Sequence, residues 1–136
     1  MKVLIMGLPG SGKTYLAKRI QPLLEAAWYN ADIVREMAND WDFSPEGRIR
    51  QSLRMKNLAD YEKKCGRVVI CDFVCPTKET KDNFGPDITI WMNTIESGRY
   101  EDTNKMFEEP LDVDYRITEM NDDNHKILAR EILKNV

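Results

Sequence analysis

Gly7-Leu8-Pro9-Gly10-Ser11-Gly12-Lys13-Thr14 follows directly on the apolar run Val3-Leu4-Ile5-Met6 and precedes Leu16, Ala17 and Ile20 at helical spacing. The octapeptide fits the pattern Gly-x-x-x-x-Gly-Lys-Ser/Thr in full. On average composition that pattern arises by chance in roughly one chain of this length in two hundred. Here it also lies between a strand-like and a helix-like segment, the context its chemistry requires. Glycines let successive N–H groups turn inward toward phosphate oxygens, and the helix N-terminus adds its partial positive charge. Lys13 supplies a point charge for the terminal phosphates, and the Thr14 hydroxyl is a ligand for Mg²⁺. Gly7 through Thr14 are therefore predicted to cradle the polyphosphate of a nucleoside triphosphate.

Outward from this loop, strands and helices alternate. Lys2 to Met6 reads as a strand buried on both faces. The spacing predicts a helix over 13–21 interrupted by Pro22, a strand over 27–31 and a helix over 33–39. A loop at 40–47 follows, in which Pro45 blocks helix continuation, then an amphipathic helix over 48–64 capped at Gly66. The strongest strand runs over 67–73 and Pro76 closes it. A helix at 77–83, a strand at 87–92, a polar loop at 94–110, a short strand at 113–118 and an amphipathic helix at 124–134 complete the chain. This alternation predicts an α/β three-layer fold with a mostly parallel five-stranded sheet. With the phosphate loop, it is a P-loop NTPase of nucleotide-kinase type, one domain over 1–136 with a short lid loop at about 94–110.

Composition narrows the partners. The 136 residues carry 20 Lys and Arg against 23 Asp and Glu, a net charge of −3. A mildly acidic chain lacks the net basic face needed for sequence-blind duplex binding, so anionic ligands must be held by locally placed cations. The apolar stretches are strand-sized, which argues against a membrane partner, and no secretory leader is expected. Cys65, Cys71 and Cys75 include no Cys-x-x-Cys pair, and with the single His125 they make no zinc set. Cys71 and Cys75 read as small buried hydrophobes and the compartment as a reducing cytoplasm. His125 is given no chemical role.

Two strand ends carry carboxylates. In a parallel sheet, residues at the carboxyl ends of strands crowd the ligand crevice. Asp32 there can take a proton from a substrate hydroxyl while Arg35, one turn on, holds an anionic group. The same pair also reads as a helix cap with a solvated arginine. Asp72, after Val68 to Cys71, can hold the metal directly or through water, or bond to loop backbone. Gly47, Arg50, Gln51, Arg54 and Leu58 share one side of a helix, either as a basic solvated face or facing the crevice.

Together with the phosphate loop, several stretches resemble the adenylyl-sulfate kinase family over nearly the whole chain. They are Asn30-Ala31-Asp32-Ile33-Val34-Arg35, Phe43-Ser44-Pro45-Glu46-Gly47-Arg48 with Gln51 and Arg54, residues 68–76, and Phe107-Glu108-Glu109-Pro110. Enzymes of that family use MgATP to phosphorylate the 3′-hydroxyl of adenosine 5′-phosphosulfate. The resemblance implies ATP and Mg²⁺ as cofactors, a small-molecule nucleotide as substrate and Asp32 as the base near the 3′-hydroxyl. It further implies that Arg35 and Arg48 bind the phosphosulfate, that Phe43 stacks on its adenine, and that Cys75 and Pro76 border the pocket. Gln51 stands where the family usually has asparagine and keeps an amide able to read a base edge. Arg99 and Lys105 are the cations available to a lid.

The chain departs from that pattern in three places. Asn30 and Ala31 replace the start of the family's Asp-Gly-Asp, the step from Lys13 to Asp32 is short, and the long basic lid is pared down to about residues 97–106. The close spacing of Asp32 and Arg35 behind the loop also resembles the 5′-hydroxyl polynucleotide kinases. Three acceptors therefore stand open from the residues: an adenylyl sulfate or related nucleotide, a nucleoside, or the 5′ end of a polynucleotide. Nucleic acid is not otherwise expected. A nucleotide-binding regulatory module without turnover is the reading from another class, and a homodimer stays open.

Overall fold

A computed structural model describes residues 1–136 apart from Arg99 and Asp122. The strands are β1 (Lys2–Met6), β2 (Ala27–Asn30), β3 (Val69–Asp72), β4 (Ile88–Met92) and β5 (Tyr115–Ile117). The helices are α1 (Lys13–Leu24), α2 (Ala31–Ala38), α3 (Pro45–Lys64), α4 (Lys78–Phe84), α5 (Glu101–Met106) and α6 (Asn124–Leu133). The sheet has five strands in the order β2-β3-β1-β4-β5, and every pairing is parallel. The α/β three-layer P-loop architecture expected from the sequence is the one observed.

Alternation along β1 explains the layers. Val3 and Ile5 pack with Leu16, Ala17 and Ile20 of α1 and Leu128, Ala129 and Ile132 of α6. Leu4 and Met6 point the other way, onto Val34 of α2, Met55 and Ala59 of α3 and Phe84 of α4. Successive side chains leave a strand on opposite faces, so a strand covered on both must be apolar throughout. Lys2, also buried, is the polar member of β1. Its ammonium meets Asp60 of α3 at 2.7 Å and lies 4.7 Å from the Phe84 ring centroid, so its charge is matched inside the layer.

Three local expectations are corrected by the structure. Pro22 does not interrupt α1 but sits in its last turn, where only one backbone bond is forfeited, and the chain leaves through Glu25 at φ 50°. Pro45 opens α3 instead of delaying it. Proline at the first helical position gives up an N–H that would have no partner there, and Ser44 caps the turn by accepting from Gly47 N at 3.1 Å. The stretch 94–110 is not all loop, because α5 lies within it. That short helix is held by Thr103, which accepts from Arg48 at 2.7 Å, and by Asn104, whose amide pairs with both the N–H and the C=O of Gly98. His125 falls in the first turn of α6, half-buried.

Among the described residues no helix is long and apolar enough to cross a membrane, and no cluster of His, Cys, Asp and Glu could hold a metal by itself. Cys71 and Cys75 are buried, as their reading requires, and Cys65 is exposed. Burial pushes the Cys75 thiol up to about 12 and raises that of Cys71 as well. A thiol reagent at neutral pH is therefore expected to label Cys65 alone in the native protein and all three cysteines after unfolding in urea, as read by intact mass.

Candidate active site

The phosphate loop leaves β1 in the centre of the sheet and enters α1 through Gly12, whose φ of 99° is open to glycine at little cost. Gly7 is more tightly constrained. Its φ is 149°, and a Cβ there would stand 2.6 Å from the Met92 carbonyl oxygen and 2.8 Å from Ser11 Oγ. Thr94, after β4, fastens the far side by donating to the Ser11 carbonyl at 2.7 Å. The Ser11 hydroxyl is buried and has no hydrogen-bond partner among the described residues. A glycine at Gly7 that leaves no room for a Cβ, positive φ at Gly10 and Gly12, and an orphaned buried hydroxyl fit a loop shaped to enclose an anion.

Lys13 folds back over this loop. Its ammonium donates to the carbonyls of Gly7 and Leu8, both at 3.0 Å. Burial lowers its pKa to about 8, against the pull of the Asp72 and Asp32 carboxylates. It is a cation held by neutral carbonyls, ready to exchange them for a stronger acceptor.

Asp72 closes β3 beside it with only 2% of its surface exposed. Its Oδ2 accepts from Thr14 Oγ1 at 3.0 Å and from Asn30 Nδ2 at 3.1 Å, and its Oδ1 accepts from the Trp28 indole at 2.8 Å. Burial raises the pKa of this carboxyl, while these donors and Lys13 work to keep it ionised. Asn30 has a second task. Its Oδ1 accepts from Ile33 N at 3.1 Å and so caps α2, which sets exposed Asp32 in the first turn. The helix-cap reading thus belongs to Asn30.

These groups face a cleft of about 820 Å³, lined by the loop and by Asp32, Asp72, Phe43 and Arg48. Phe43 is backed by two arginines. The Arg35 guanidinium lies 4.4 Å from its ring centroid, and that of Arg48 5.5 Å. Arg35 is buried and donates to the carbonyls of Asp40 and Asp42 at 2.9 and 3.2 Å. Arg48 donates to the Phe43 carbonyl at 2.9 Å as well as to Thr103. Asp40 fixes the same loop from outside by accepting from Arg50 at 2.7 Å and Arg54 at 2.8 Å, and these arginines hold its carboxyl well below the usual carboxylate range.

Arg35, Gln51, Cys75 and Pro76 do not line the cleft. Gln51 is buried and its amide is engaged on both ends, donating to the Ala31 carbonyl at 3.1 Å and accepting from Arg54 at 2.5 Å. Cys75 Sγ lies 3.7 Å from Thr80 Oγ1, and the Pro76 carbonyl accepts from Glu108 N at 2.6 Å. Arg99 lies outside the described residues, and Lys105 is exposed on α5. The cleft also takes in Trp41, Tyr100 and Thr103. Trp28 lies within the strand expected over 27–31. An indole N–H at the end of a strand needs a partner, and that need was the available clue.

Alanine at Gly7 and at Gly10 separates sterics from backbone strain. At Gly10 the nearest atom to a new Cβ is Ile95 Cδ1 at 3.9 Å, so only φ resists. Gly10→Ala is expected to cost about 1–2 kcal/mol and Gly7→Ala more, read as the shift in urea unfolding midpoint.

The sequence profile of the adenylylsulphate kinase family matches residues 1–95. A probable adenylyl-sulfate kinase of Aeropyrum pernix is 34% identical over 89 residues, covering 59% of this chain and 47% of that protein. The adenylyl-sulfate kinase of Chloroflexus aurantiacus is 35% identical over 81 residues, covering 55% of this chain and 44% of its own. The chain spans about half the length of these curated relatives. The structure of the Mycobacterium tuberculosis APS kinase in complex with AMPPNP and APS superposes with a TM-score of 0.74 at 20% identity, over 98% of this chain and 95% of that one, a likeness of fold. The matched residues contain the phosphate loop, Asp32, Phe43, Arg48 and Asp72, and on that match the chain belongs to the adenylylsulphate kinase family.

Proposed function

We propose that residues 1–136 act as one ATP-dependent kinase unit that transfers the γ-phosphoryl of ATP to the 3′-hydroxyl of adenosine 5′-phosphosulfate or a closely related nucleotide. One observation carries the reading: Lys13, the Thr14–Asp72 pair and Asp32 face a single cleft whose far wall is Phe43 braced by Arg48. The complex of the Mycobacterium tuberculosis relative with AMPPNP and APS supports the choice of both ligands.

The chain's own groups divide the work. Loop amides and the N-terminus of α1 take the polyphosphate, and Lys13 leaves the Gly7 and Leu8 carbonyls for the terminal phosphate oxygens. Asp32 accepts the acceptor hydroxyl's proton as that oxygen bonds to the γ-phosphorus and the bond to the leaving ADP oxygen breaks. Phe43 offers a face to the adenine, with Arg48 and Arg35 fixing its position and adding positive charge on the anionic side. Thr14 and Asp72 are the donor set for Mg²⁺, which when bound neutralises charge on the phosphates. Tyr100 and helix α5 border the cleft as a short lid, anchored through Thr103 to Arg48. Free thiols at Cys65, Cys71 and Cys75 favour a reducing, cytoplasmic setting.

Incubation with MgATP and adenosine phosphosulfate, with product identified by mass, is expected to show one phosphate added and ADP released. Asp32→Asn is expected to lower turnover by about 10²–10⁴-fold while nucleotide affinity measured by calorimetry stays within about twofold. Labelling only of an oligonucleotide 5′ end would overturn the acceptor, and no turnover on any small acceptor would overturn the enzyme reading.

A pH dependence follows from Lys13. Free Lys13 loses its proton near pH 8, whereas the phosphate-bound amine holds its proton to higher pH. Binding above pH 8 must then draw a proton from solution, and affinity falls as pH rises. Calorimetry in two buffers of different ionisation enthalpy is expected to detect this uptake, and Lys13→Met to abolish it.

A further inference from the structure

Trp28 takes no part in the reaction described above, yet it contacts the most buried carboxylate of the site. In the parallel register of β2 on β3, Trp28 stands beside Ile70 and Asn30 beside Asp72. Residues two apart share a face, so Trp28 and Asn30 lie on the face that carries Asp72 and Ile70. This is also the face covered by α1, because Ile70 packs with Leu16 and Ile20 and Trp28 packs against the same cluster. The indole therefore reaches diagonally along the sheet to Oδ1 at 2.8 Å, while Asn30 and Thr14 hold Oδ2.

The two ends of the carboxylate are held by different kinds of donor. The Thr14 hydroxyl rotates and can also accept, so it can turn a lone pair toward a cation while still donating to Asp72. The indole N–H only donates, and its ring is fixed by packing on a sheet face. Among the described residues it is the donor given to Oδ1. Removing it leaves that buried oxygen unsatisfied and the carboxylate free to turn about its last torsion.

We propose that Trp28 is a positioning residue for the cation site. By pinning Asp72 Oδ1 it aims Oδ2 at Thr14, so that the Thr14–Asp72 pair is set for the divalent cation that accompanies the triphosphate. The inference rests on the reading that this pair holds Mg²⁺. Partners behind a metal site set ligand orientation, and losing one commonly weakens the metal by about 10–100-fold.

The test is calorimetric titration of ATP into the wild type and Trp28→Phe, each in EDTA and across a Mg²⁺ series. Phenylalanine keeps an aromatic body and removes the donor. The expected result is unchanged affinity in EDTA with about tenfold more Mg²⁺ needed for half of the metal-dependent tightening. An identical Mg²⁺ series, or an equal loss with and without metal, overturns the inference and leaves the kinase reading standing. A wild type that binds no triphosphate under either condition overturns that reading and the inference with it. Should Trp28→Phe fail to fold, indole ¹⁵N–¹H exchange in the wild type with Mg²⁺ and nucleotide decides. The Trp28 proton is expected to exchange far more slowly than that of Trp41, which is 51% exposed, and equal exchange overturns the proposal.

Discussion

All strands of the sheet run in the same direction, and the site depends on that constraint. Parallel strands release their carboxyl ends on one side, so every segment leaving β1, β2, β3 and β4 emerges there. The phosphate loop, the Asn30–Asp32 turn, Asp72 and Thr94 come from four different strand ends and meet without any long connection having to bring them together. Burying β1 on both faces requires a helical layer on each side, and the layer containing α1 brings the helix N-terminus to the loop. The hydrophobic pattern of one short strand thus fixes where the cations and carboxylates meet.

Within that frame the charges are held at intermediate strength. Lys13 rests on carbonyls instead of on the nearby carboxylates. Asp72 is shielded from water but has donors on both oxygens, which satisfies the rule that a buried charge must be hydrogen-bonded. Asn30 in place of a carboxylate keeps a second negative charge away from Asp72 and contributes a donor instead. The wall at Phe43 is built differently. Its ring is exposed to the cleft, but the loop behind it is fastened by Arg35, Arg48 and the Asp40 ion pairs, so an open aromatic surface stands on a rigid base.

Much of this was legible in the order of the residues. The Gly-rich octapeptide, the continuous apolar runs of β1 and β3 and the alternation with helices are local signals, and they place the loop, Asp32 and Asp72 near one another. What escaped was decided by particular side-chain contacts that periodicity does not encode, some between near neighbours and some between distant segments. Whether Gln51 faces the crevice or the interior depends on the Ala31 carbonyl and Arg54 that meet it. Arg35 reads as a free cation until the chain at Asp40 and Asp42 turns its carbonyls toward it. Pro45 breaks one helix and begins another equally well, and Ser44 at its N-cap decides the case. The helix α5 has almost no apolar periodicity and exists because Arg48 and Gly98 hold it.

Both margins of the sheet are short. β2 and β5, its outer members, have four and three residues, whereas β1 at the centre has five that are all buried. An unpaired strand margin offers its N–H and C=O groups to any extended segment, and shortness is one of the ways proteins deny that offer. The architecture that concentrates chemistry at one end of the strands therefore also leaves little backbone at its flanks for a second molecule to add to.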